Sequence, residues 1–204
     1  MAHSPTGLKL PEVDPARRLA AVRAVLARQS TDMPKQVVQA SALIGRLPSK
    51  AKLRVGAEQA QKEEAEDLRA AEYFQSLLEL GYLVASADGL AADERETLAL
   101  LLEHATDAAV NRDVLQLHFF DLEATCAALG RSERLSRVAA NLDTPSAREE
   151  AISFAALVAM ADGSLEPAEV QVLIELGRHF SLSAAQVESL AGRVAESIRQ
   201  QLAG

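Results

Sequence analysis

Asp162 and Glu169, in the stretch ALVAMADGSLEPAEV over residues 156–170, stand seven positions apart with a glycine directly after the aspartate. Carboxylates so placed could share a hard divalent cation such as Ca²⁺ or Mg²⁺, whose preferred ligands are oxygens. Aligned on an EF-hand loop, Asp162 takes a middle ligand position, Gly163 the invariant glycine, Leu165 the apolar position and Glu169 the final ligand. The first two ligand positions are then Val158 and Met160, which offer no oxygen. The loop is therefore not an EF-hand. The same residues also have a mechanical use. A short polar side chain ends one helix, the glycine takes a left-handed conformation, and the glutamate caps the first turn of the next helix. Both uses remain open at this point.

A second copy of the pattern occurs upstream. LGYLVASADG (80–89) matches FAALVAMADG (154–163) at an offset of 74, and LAADERETLALLLEH (90–104) matches LEPAEVQVLIELGRH (165–179) at an offset of 75. Asp88 thus pairs with Asp162, Glu94 with Glu169, Leu98 with Leu173 and His104 with His179, with one residue fewer in the first loop. A duplicated helix–turn–helix that folds back on itself would bring both Asp-Gly loops together. Asp88, Glu94, Asp162 and Glu169 are then the candidate metal ligands, with Asp93 and Glu166 as auxiliaries. Such a site would be weak and wet, with waters completing the shell. His104 and His179 lie near helix ends, where polar or cationic groups suit the dipole, and His118 in LQLHFF reads as a core or boundary residue.

The elements around these loops are helical. Ala, Leu, Glu, Arg and Gln dominate, β-branched runs are scarce, and only 10 Gly and 7 Pro interrupt 204 residues. Asp14-Pro15 reads as the N-cap and first residue of a helix running to about Gln29, with Leu19, Val22 and Leu26 on one side. Met33-Pro34 opens a second short helix, stopped by Pro48. Residues 1–13 are expected to be a mobile tail, and residues 49–57 a linker. Two further helices fill the interval between the copies. Thr144-Pro145 caps the next, and Ser183 with Gln186 forms a capping box for a last helix whose inner face is Val187, Leu190, Val194 and Ile198. The expected architecture is all-α: a basic extension over 1–57 with two short helices, then a compact bundle of about seven helices over 58–204 with pseudo-twofold internal symmetry.

The repeated A-D-G turns, the apolar residue and glutamate that follow them, and the interval VLQLHFFDLEATCAALG resemble the TerB-like tellurite-resistance family over about residues 68–200. The resemblance implies an all-helical fold, an acidic patch that binds divalent metal, and a role in stress resistance within partly membrane-associated assemblies. Asp162 and Glu169 match the family spacing fully. Asp88 and Glu94 match it with the one-residue deletion.

Charge divides the chain. Residues 1–57 carry ten Lys and Arg against three Asp and Glu, and the remainder 11 against 26, so the two parts have net charges of +7 and −15. The basic extension is expected to pack on its own acidic bundle or recruit a partner protein. It lacks the aromatic residues that stack on bases, so sequence-specific nucleic-acid binding is not expected. The single cysteine, Cys126, excludes an internal disulfide and a thiolate zinc cage, and reads as a buried apolar residue. No signal peptide or membrane-spanning stretch is evident, and the expected location is the cytoplasm or the membrane periphery. No nucleophile elbow or phosphate loop is present. The expected function is a non-catalytic module that binds Ca²⁺ or Mg²⁺ and engages protein partners. The alternative is a structural adaptor whose turns bind nothing.

Overall fold

The computed structural model describes residues 6–29, 73, 75–90, 92–105 and 112–204, with the backbone alone at residues 27, 29, 92–94, 104, 105 and 114. Among these residues the chain forms eight α-helices: α1 Pro15–Gln29, α2 over 75–85, α3 Ala92–Ala105, α4 Arg112–Leu129, α5 Arg131–Ala140, α6 Pro145–Ala159, α7 Pro167–His179 and α8 Ala184–Ala203. The second basic helix, the linker and the stretch 58–72 fall outside the described residues.

Local chemistry sets the helix starts. Asp14 Oδ2 accepts the Arg17 N–H at 3.2 Å, and Thr144 Oγ1 accepts the Ala147 N–H at 3.1 Å. Ser183 Oγ accepts the Gln186 N–H at 3.3 Å, while Gln186 Oε1 accepts the Ser183 N–H at 2.9 Å. Each bond satisfies a donor that the first helical turn leaves without a partner.

Helix α6 runs through the middle of the bundle. Ala151, Ile152 and every residue from Phe154 to Ala159 are buried, the signature of a helix covered on all sides. It packs against α7 and α8, and α2 crosses it closely at Gly81. A Cβ at Gly81 would stand 3.3 Å from Val158 Cγ1 and 3.4 Å from Phe154 Cε1. In the repeat α2 corresponds to α6, and α3 to α7. Leu98 and Leu101 of α3 are buried, as are their counterparts Leu173 and Leu176. On α8 the expected inner face of Val187, Leu190, Val194 and Ile198 is buried throughout.

The amino-terminal segment differs from the expected mobile tail in its described part. Leu8–Lys9 form a short strand, β1, paired antiparallel with β2, Ser164–Leu165. Leu8 stands opposite Leu165, Lys9 opposite Ser164, and Leu10 is buried in the core. The apolar Leu8 and Leu10 offset the turn-forming composition around them. Helix α1 then lies on α3, α6 and α8, burying Ala21, Val22, Val25 and Leu26. Of the roles expected for the basic segment, docking on its own bundle holds for the part described.

Candidate functional site

Helix α2 ends at residue 85 and the chain turns through Gly89, whose φ is 110°. Arg131 caps this end, donating from Nη2 to Ser86 O at 2.6 Å and from Nη1 to Ala87 O at 3.1 Å. Helix α6 ends in a 3-10 turn, Met160–Asp162, and reverses at Gly163, whose φ is 119°. The extra residue of this loop accommodates β2 before α7 begins. Asp162 Oδ1 accepts the Ser164 N–H at 3.0 Å, closing the turn.

The two glycines make a controlled comparison. Each needs a left-handed backbone, which costs an L side chain about 1–2 kcal/mol. A Cβ at Gly89 would meet nothing within 4 Å, whereas one at Gly163 would come within 2.7 Å of Arg18 Cζ. Gly163→Ala should therefore destabilise more than Gly89→Ala in urea unfolding. Equal losses would show that Arg18 gives way freely.

Glu169 occupies the third position of α7, after Glu166 as N-cap and Pro167 as first residue. Its Oε2 accepts the Glu166 N–H at 2.7 Å. The side chain is 5% exposed. Burial pushes its pKa up to about 8, against the Glu166 N–H that holds the charged form, and Asp162, Asp88 and Glu166 add to the rise.

A cavity of about 250 Å³ opens between the two loops. Asp88, Asp162, Glu166 and Glu169 supply its carboxylates, Thr97 and Ser164 its hydroxyls, and Leu90, Leu98 and Val158 part of its apolar wall. Three of the four candidate ligands and one auxiliary therefore share one cavity. Glu94 and Asp93 lie on the first turn of α3, their side chains outside those described. Among the described residues, no group of three or more His, Cys, Asp and Glu side chains is placed so that it could hold a metal ion. Thr97 went unnoticed in the sequence, although it lies one turn along α3 from Glu94 and so on the same face.

The histidines lie apart from the cavity lining where they are described. His179 is exposed in the last turn of α7, and His118 is half-buried, its pKa pushed down by burial. The side chain of His104 is not among those described. Cys126 is half-buried on α4 rather than fully buried, and burial pushes its thiol pKa up.

The family model of TerB, tellurite resistance protein TerB, matches residues 74–191. The chain belongs to the TerB family. The matched residues run from α2 into α8 and include both Asp-Gly loops, whereas α1 and β1 precede them. No match to a curated protein or to a solved structure was found. Among the described residues, no helix is long and apolar enough to cross a membrane.

Proposed function

We propose that this TerB-family chain is a non-catalytic, cytoplasmic stress-response module that binds Ca²⁺ or Mg²⁺ at Asp88, Glu94, Asp162 and Glu169. A bound cation would neutralise the acidic cavity and so adjust contact with a protein partner, including one held at a membrane. The observation that carries the reading is the cavity between the two loops, whose lining gathers Asp88, Asp162, Glu166 and the buried Glu169. Gathering like charges at a buried site is unfavourable, and a cation relieves it. The donors are all oxygen, which suits a hard ion. Their spread around an open cavity suits a weak site in which water supplies much of the shell. Burial pushes the Cys126 thiol pKa up, so this cysteine is not an activated nucleophile.

Calorimetric titration with CaCl₂ and MgCl₂ tests this. The parent should bind one of them with a Kd on the order of 0.1–1 mM, the range of weak oxygen-ligand sites, and Asp162→Asn should abolish the heat.

The structural adaptor has its own support. Asp162 Oδ1 and Glu169 Oε2 each already accept a backbone N–H, as turn and cap residues do. Titrations silent for both ions leave that reading.

A further inference from the structure

The segment preceding the TerB-matched residues grips the second Asp-Gly loop at successive points. Leu8 and Lys9 pair with Leu165 and Ser164, and the Leu10 N–H donates to Gly163 O at 2.9 Å. Arg18 Nη1, reaching across from α1, donates to Asp162 O. Arg18 Nη2 donates to Val13 O at 3.4 Å, so one guanidinium ties the approach to α1 to the loop. Its bulk fills the space that the missing Cβ of Gly163 leaves open. The bundle holds the segment from its other side: Arg199 Nη2 donates to Lys9 O at 3.0 Å, and Arg17 Nη2 to Leu202 O at 2.7 Å.

We propose that Arg18 is a positioning residue for the acidic cavity, holding the Asp162–Gly163 turn so that cation binding and docking of the amino-terminal segment reinforce each other. The inference rests on the divalent-cation reading given above. Only six residues separate Asp162 from Glu169, and β2 lies between them. Fixing the Asp162 carbonyl and pairing β2 with β1 therefore restricts the loop that sets the distance between the two carboxylates. Each residue that a free loop must order on binding costs conformational entropy. A loop held in advance avoids part of that cost. Linkage makes the effect reciprocal: whatever the docked segment adds to cation affinity, the cation adds to docking. A bound cation should thus protect residues that do not line the cavity.

The test uses the full chain with Arg18→Ala and Arg18→Lys, followed by calorimetric titration with CaCl₂ and MgCl₂ and by amide hydrogen exchange. In the parent, the cation should slow exchange at Lys9 and Leu10 as well as at Ser164 and Leu165. Arg18→Ala should weaken cation binding about tenfold, within the usual range of coupling between sites, and remove the protection at Lys9 and Leu10. Arg18→Lys keeps the charge but loses the two-pronged donor, so it should restore binding only in part. A purely architectural arginine would lower thermal stability in the variants and leave cation affinity unchanged. That result overturns this inference alone. A parent that shows neither heat nor altered exchange overturns the divalent-cation reading and this inference with it. If Arg18→Ala does not fold, parent-like affinity in Arg18→Lys overturns the proposal.

Discussion

Raising the pH from 5 to 8 in the absence of divalent cations should cost the protein roughly 3–4 kcal/mol of stability, and Glu169→Gln should remove most of that slope. The folded carboxyl titrates at about 8, against 4.5 for an unperturbed glutamate. Between those values the folded state holds a proton that the unfolded state releases. The stabilisation is complete below the unfolded pKa and is lost as the pH rises through the folded one. Glutamine keeps an oxygen for the Glu166 N–H and never ionises, so the variant should be the more stable protein at pH 8. Urea unfolding of both proteins at several pH values measures this directly. Parallel curves across the range would show that the Glu169 carboxyl is effectively solvated. A millimolar divalent cation should flatten the parent's slope if the cavity binds it, because the cation then offsets the charge that deprotonation exposes.

Arg134→Met should cost about 3–5 kcal/mol, as expected when one member of a buried ion pair is removed. Glu79 is 5% exposed on α2. Arg134 on α5 donates from Nε to Glu79 Oε1 at 2.6 Å, and the Arg134 side chain is itself 18% exposed. Next to this pair, Asn141 Nδ2 donates to Ser76 Oγ at 3.3 Å, so polar bonds cross from the end of α5 to α2. Leu135, Val138 and Ala139 bury the apolar side of α5. The methionine preserves much of the aliphatic volume, so the loss would come from leaving a carboxylate without its partner in a dry place. Glu79→Met combined with Arg134→Met should recover part of the loss, since no buried charge then remains. A double-mutant cycle in urea supplies the numbers. A single-variant cost under about 1 kcal/mol would place the pair among ordinary solvent-exposed bridges.

Most of the helical plan was legible because its causes are local. Asp14, Thr144 and Ser183 cap helices through bonds that span three residues, and the inner face of α8 follows from a 3.6-residue period. The duplication was equally plain, and it carried a tertiary consequence. Matching hairpins packed through α2 and α6 place Asp88 and Asp162 on one cavity. The left-handed Gly89 and Gly163 were legible for the same reason, since an Asp-Gly turn after a helix needs that backbone.

Other features depended on residues far apart in the chain. The pairing of Leu8–Lys9 with Ser164–Leu165 has no local signal, because a two-residue strand forms only where a partner edge is already held. Charge asymmetry pointed to docking of the basic segment on the acidic bundle, but not to Arg18 rather than Arg17 or Arg23. The half-burial of Cys126 was likewise set by how α4 lies in the bundle. Residue order by itself determined the helices, their caps, the repeated hairpin and the family. Tertiary packing decided the state of Glu169 and the grip on its loop, since α2, α3, α6 and α7 line one cavity there while β1 and Arg18 of α1 hold the turn.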